Sequence, residues 1–233
     1  MSEQYLYPVT PPSSVEVVGE ESLYNVNRIF CVGRNYLAHA SEMGVAVDKS
    51  TQEPFYFLKD PSTLIPSGST ISYPPQTSNY HHEMEFVVAI GKSGFEITED
   101  EADSYIYGYA CGLDMTRRDL QLKARETGRP WDLGKNFEES AVISPIVKAS
   151  DSGIINEGSI ELTVNGQTKQ SSDLNLLIWS VKEIIVHLSK FYHLQPGDLI
   201  FTGTPEGVGP VEAGDQIKGK IQGVNEIELT ILR

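Results

Sequence analysis

The chain has 233 residues, 39% apolar and 21% charged. At that length folding buries about 70% of the surface an unfolded chain exposes, so no disulfide or metal staple is needed. Its 18 Lys and Arg against 32 Asp and Glu leave a formal charge of −14, which repels phosphate backbones and anionic lipid and excludes nucleic acid and membrane surfaces as expected partners. A small anionic ligand stays open, because a cation or a local basic pocket inverts the field inside a cleft.

Residues 1–25 read as an irregular arm carrying Pro8, Pro11 and Pro12, and residues 26–233 as a single domain. The start, Met1-Ser2-Glu3-Gln4, lacks the basic and apolar runs of a signal peptide. No run of about 18 apolar residues offers a membrane-spanning helix. Cys31 and Cys111 both sit in apolar runs, as buried free thiols do, and this points to a reducing compartment, the cytoplasm.

The first predicted strand covers 28–32. Gly33-Arg34-Asn35 breaks it, and a short helix over 36–43 is closed by Gly44. An aromatic strand follows at 55–58, then a Pro-, Ser- and Gly-rich stretch from 61 to 75 that reads as turns. Strands at 83–90 and 105–113 come next. Thr116 reads as a helix cap, with Asp119 three residues on and Gly128 and Pro130 as the stop. Asn165-Gly166 supplies the two positive φ angles of a hairpin turn between 160–164 and 167–170. Ser180-Val181-Lys182-Glu183 opens a capped helix to about Tyr192, and strands at 199–202, 217–221 and 227–232 complete the chain. Strands outnumber helices without βαβ alternation, so the expected class is α+β with antiparallel or mixed sheets.

Three groups of residues carry chemistry. In His81-His82-Glu83-Met84-Glu85, the two glutamates are two apart and share one face of a strand. Side by side at an apolar strand they repel each other and resist desolvation unless a cation lies between them. With Asp114 at the end of a second apolar strand they make an all-oxygen set suited to Mg²⁺, Mn²⁺ or Ca²⁺; a solvated strand face is the plain alternative. His81 and His82 face opposite ways and read as structural. His39 and Glu42, three apart on the short helix, share a face, so the carboxylate can orient the imidazole for deprotonating water; an exposed helix pair of no consequence is the alternative. Arg117, Arg118 and Lys135 are cations that either stabilise an oxyanion or form ordinary surface pairs. The loop Thr202-Gly203-Thr204-Pro205-Glu206-Gly207-Val208-Gly209 is neither a P-loop nor a dinucleotide fingerprint. Its glycines let backbone N–H groups approach a carboxylate, or they simply make a tight turn. No G-x-S-x-G elbow and no cysteine redox or zinc spacing occurs.

In this order the motifs resemble the fumarylacetoacetate hydrolase family, in its short acylpyruvate hydrolase branch. The residues that carry the resemblance are Cys31-Val32-Gly33-Arg34-Asn35-Tyr36 with His39 and Glu42, His82-Glu83-Met84-Glu85 and Gly112-Leu113-Asp114-Met115-Thr116-Arg117-Arg118-Asp119. Pro130-Trp131-Asp132-Leu133-Gly134-Lys135 and the 202–209 loop complete them. One departure is Asp60, which stands between Lys59 and Pro61 where the relatives run Lys-Pro directly.

The resemblance implies the family's β-rich mixed-sheet roll, as a homodimer. It implies Mg²⁺ or Mn²⁺ held by Glu83, Glu85 and Asp114, and His39 and Glu42 as a water-activating dyad on a helix that orders over the substrate. Lys135 would face substrate oxygens, and Arg118, Gln121 and Thr204 would bind substrate. The implied reaction is hydrolysis of a C–C bond in a 2,4-dioxo acid, best fitted by fumarylpyruvate giving fumarate and pyruvate through a metal-stabilised pyruvate enolate. Decarboxylation or keto–enol tautomerisation of oxaloacetate on the same site is the alternative, and an inactive binding or structural member of the fold is a third.

Overall fold

A computed structural model describes residues 5–232; the start Met1-Ser2-Glu3-Gln4, read above for a signal peptide, lies outside the described residues. The organising element is an eight-stranded mixed sheet. Its order runs Phe55–Lys59, Arg28–Gly33, Asp198–Phe201, Met84–Ile90, Ile106–Asp114, Ala141–Ile143, Leu64–Pro66, with Val147–Lys148 also paired to Ile106–Asp114. Asp198–Phe201 runs parallel to Arg28–Gly33 and antiparallel to Met84–Ile90. A five-stranded sheet has the order Gln167–Asp173, Ser159–Val164, Gln216–Ile221, Ile227–Ile231, Ser69–Ile71. This is the expected α+β, β-rich mixed-sheet architecture.

The central strands bury both faces, which is why their sequences run apolar instead of alternating with polar residues. Phe30, Val32, Phe86, Val88 and Leu113 join Ile160, Leu162, Ile217, Leu229 and the buried stripe Val181, Ile184, Ile185 and Leu188 in the larger core. The alternate residues, Ile29, Cys31, Val87, Ala89, Leu199 and Phe201, form a smaller core on the other face. Cys31 and Cys111 are buried and free. Residues expected to be irregular contribute to the smaller core: Ser14–Val15 pairs with Tyr24–Asn25, and Val15 and Val17 are buried there.

Several local expectations are corrected. The segment around 61–75 contains two short strands, Leu64–Pro66 and Ser69–Ile71, each pairing in parallel with a distant strand. The helix after Asp114 begins at Arg118, and the side chain of the flanking Arg117 does not accept from its first N–H groups. Thr116 instead pairs across from His81 in a small ribbon, and Asp119 accepts from the Thr77 hydroxyl and the Ser78 amide. The capping box at Ser180 and Glu183 is present as expected, but its helix ends at Leu188. Among the described residues no helix is long and apolar enough to cross a membrane.

Candidate active site

Glu83 stands where the chain leaves the Tyr80–His82 ribbon strand and enters Met84–Ile90. Glu85 lies one pleat further on, opposite Gly112. Gly112 has no room for a side chain: a Cβ there would lie 2.5 Å from Val87 Cγ2 and 2.6 Å from Phe201 Cε1. Asp114 ends the neighbouring strand, and its amide donates to Glu83 O at 2.9 Å. The three carboxylates so placed offer oxygens that all lie within 4.8 Å of one another, and all three residues are buried.

Cations surround them. Lys135 Nζ donates to Glu83 Oε2 at 2.8 Å, Asp114 Oδ2 at 2.5 Å and Thr116 Oγ1 at 2.7 Å. It comes from a helical turn, Asp132–Lys135. Arg118 donates from one nitrogen to Glu83 Oε1 and from another to Gln121 Oε1. Lys59, whose role the sequence leaves open, is fully buried behind the triad. It donates to Lys135 O, to Met115 O at 3.3 Å and to Ser140 Oγ at 2.9 Å. Its Nζ is also 2.9 Å from Asp114 Oδ1, but out of line for a hydrogen bond, so that oxygen has none.

The electrostatics single out Glu85. Burial and then the charges of Asp114 and Glu83 push its pKa well above the carboxylate range, despite the Gly203 amide donating to Oε2 at 2.8 Å. Gly203 holds φ at 101°, a left-handed value that favours glycine. Burial acts on Glu83 in the same direction, but Lys135, Arg118 and His39 outweigh it and hold its pKa well below the usual range. Burial works against the Lys135 charge, and Asp114 and Glu83 reverse that, raising its pKa.

The donor set fits a hard divalent cation. Octahedral Mg²⁺ or Mn²⁺ brings ligand oxygens to about 3–4 Å from one another, a modest tightening of the spacing present. A cation would also offset the repulsion that Asp114 and Glu83 exert on Glu85 and give Asp114 Oδ1, which accepts no hydrogen bond, a partner to hold.

Above the triad sits the Leu37–Glu42 helix. His39 is buried, and its Nδ1 lies 3.4 Å from Glu42 Oε2. Burial lowers its pKa and outweighs the opposing pull of Glu83 and Glu42, so the ring is neutral and able to accept a proton at pH 7. Glu42 is in turn reached by the Gly207 amide, 3.3 Å from each carboxylate oxygen. The glycine loop therefore does bring N–H groups to carboxylates, and those carboxylates are the protein's own Glu85 and Glu42. Thr204 is buried at the pocket wall, its hydroxyl accepting from Gln170 Nε2 at 2.8 Å. The pocket is lined by His39, Glu83, Glu85, Asp114, Arg118, Gln121, Lys135 and Thr204, so all the expected site residues except Glu42 line it directly. His81 and His82 stand apart from the triad, on Asn79 and Gln170 respectively.

Residues 28–232 match the model of the fumarylacetoacetate (FAA) hydrolase C-terminal domain. The chain belongs to the fumarylacetoacetate hydrolase family. It is 62% identical over 189 residues to a fumarylpyruvate hydrolase of Ralstonia sp., covering 81% of this chain and 98% of that one. It is 41% identical over 196 residues to the mitochondrial oxaloacetate tautomerase of Homo sapiens, covering 84% of this chain and 87% of that one. The crystal structure of fumarylpyruvate hydrolase from Pseudomonas aeruginosa, in complex with Mn²⁺ and pyruvate, superposes with a TM-score of 0.94 at 47% identity, covering 98% of this chain and 99% of that one.

Within this family fold, sequence reasoning missed Gln170. Its side chain ties together Thr204, the Pro205 carbonyl, the Met84 amide and His82. Only its place as the one fully buried position of its hairpin strand marks it, and no sequence signal does. Arg125 was also missed; it lines the pocket one helical turn beyond Gln121.

Proposed function

We propose that this protein hydrolyses the C–C bond of an acylpyruvate, with fumarylpyruvate as substrate and fumarate and pyruvate as products. The observation that carries the reading is a buried Glu83–Glu85–Asp114 triad within 4.8 Å, sharing one pocket with a neutral His39 that Glu42 orients. The 62% identity to a fumarylpyruvate hydrolase supports the acyl group.

In this reading Glu83, Glu85 and Asp114 hold Mg²⁺ or Mn²⁺, which supplies a Lewis acid to the substrate oxygens. Glu42 holds His39 through Nδ1, leaving Nε2 to take a proton from water. The water oxygen bonds to the acyl carbonyl carbon, and the Lys135 ammonium stabilises the oxyanion that develops. The bond between that carbon and the pyruvyl methylene breaks, its electron pair stays on the methylene carbon, and that carbon takes up the proton. Arg118, Gln121 and Thr204 position the substrate. The family resemblance supports a homodimer, and two buried free thiols support a reducing, cytoplasmic setting for a domain of residues 26–233 with an N-terminal arm.

Oxaloacetate tautomerisation is the second reading, supported by the human relative at 41% identity. Turnover in ¹⁸O-labelled water separates the two. Hydrolysis places ¹⁸O in the fumarate carboxylate, so a labelled acid is expected from fumarylpyruvate. Interconversion of oxaloacetate tautomers with no cleavage of the dioxo acid would overturn the reading.

A further inference from the structure

Two cations in the pocket take no part in the chemistry described so far. Arg34 and Arg125 both line it, and neither pairs with a triad carboxylate. Among the described residues neither forms an ion pair, in a chain with 32 Asp and Glu. Arg34 follows the Arg28–Gly33 strand with φ at 59°, a left-handed value unusual for a side chain-bearing residue. It is half-buried, its guanidinium 5.2 Å over the Phe55 ring, which meets Trp131 edge-on at 5.4 Å. Arg125 is exposed at the pocket mouth; its guanidinium donates to Met43 O at 3.2 Å, at the end of the His39 helix, and makes no other hydrogen bond among the described residues. Burial and then the Arg125 charge both push the Arg34 pKa down, and both residues line the same pocket.

The charge count of the pocket points the same way. Lys59, Lys135 and Arg118 equal the three carboxylates in number, although their ion pairs go to Glu83 and Asp114 and none reaches Glu85. A bound divalent cation then adds two positive charges, and the arginine pair adds two more. A substrate with a single carboxylate, spent at the metal end, leaves the arginines unanswered.

We propose that Arg34 and Arg125 form a clamp for a second carboxylate, at the far end of the acyl group, and so select dicarboxylate over monocarboxylate acylpyruvates. The proposal rests on the hydrolase reading above. Guanidinium groups suit this task because their planar donors pair with carboxylate oxygens two at a time. Stacking on Phe55 and the bond to Met43 hold the two arms in place before the ligand arrives, which reduces the ordering cost of binding.

The test compares kcat/KM for fumarylpyruvate and for acetylpyruvate, whose acyl end is a methyl group, with Mn²⁺ present. The ratio between the substrates is expected to fall about 30-fold in Arg125→Gln, the loss of one charge-assisted pair, and to recover in part in Arg125→Lys. Arg34→Gln is expected to lower the ratio in the same sense. A disturbance of the fold alone lowers both rates and leaves the ratio unchanged; an unchanged ratio in both Gln variants overturns the clamp. If the wild type turns over neither dioxo acid, the hydrolase reading has failed, and calorimetry decides the clamp on its own. Fumarate should then bind at least about ten times more tightly than crotonate, its methyl-ended analogue, with Arg125→Gln removing the difference. Equal binding of the two acids by the wild type overturns it.

Discussion

The Asp114 amide donates to the Glu83 carbonyl oxygen at 2.9 Å, so two of the three triad acids are fastened backbone to backbone where their strands meet. Their carboxylates converge because the main chains do, with little side-chain freedom left to order when a cation binds.

Asp114→Asn keeps this shape and removes one charge. Divalent metal affinity is expected to fall at least about 100-fold in calorimetry, the upper end of the loss seen for residues that merely support metal ligands. Retention of wild-type affinity would place the metal elsewhere.

His39→Gln is expected to lower kcat for fumarylpyruvate about 10³-fold, the usual worth of a positioned general base, while Mn²⁺ affinity stays within a few-fold because the ring lies outside the triad. Loss of metal binding in this variant would make His39 a ligand and contradict the roles given above. Oxaloacetate chemistry that needs no water is expected to suffer less than hydrolysis.

Gly112→Ala drives a methyl group into Val87 and Phe201, 2.5 and 2.6 Å away. Overpacking of this kind costs about 1–3 kcal/mol. Because Gly112 faces Glu85 in register, metal affinity should drop along with the melting temperature. A variant that melts like wild type and binds metal normally would show that the strands part without disturbing the site.

His82 provides the pH test. It is buried, and burial takes its pKa to about 4 from an ordinary value near 6.5. Between those values the unfolded chain binds more protons than the folded one, so stability is fully present above pH 6.5 and is lost as pH falls toward 4. His82→Asn keeps a donor toward Gln170 and removes the titration. Between pH 7 and 4.5 the wild type is expected to lose about 2–3 kcal/mol more than this variant in urea unfolding. Parallel pH profiles would show that His82 titrates normally.

What was legible in the sequence was local. The i, i+2 spacing of Glu83 and Glu85, the i, i+3 spacing of His39 and Glu42, the Asn165-Gly166 turn and the Ser180 capping box each depend on neighbours in the chain. Thr116 and Asp119 spelled a capping box just as well, yet distant partners claimed both: the Lys135 ammonium took the Thr116 hydroxyl, and Thr77 and Ser78 took the Asp119 carboxylate. Leu64–Pro66 and Ser69–Ile71 escaped notice because their partners, Ala141–Ile143 and Ile227–Ile231, lie far along the chain. Lys59 and Gln170 acquire their roles only through contacts with remote segments, which no local pattern encodes.

The most direct test of the central claim is an absorbance assay with purified protein and fumarylpyruvate, run with Mn²⁺, with Mg²⁺ and with chelator. The account predicts metal-dependent loss of the conjugated enol with fumarate and pyruvate appearing in equal amounts. Pyruvate formed from oxaloacetate alone, with fumarylpyruvate untouched, would contradict it.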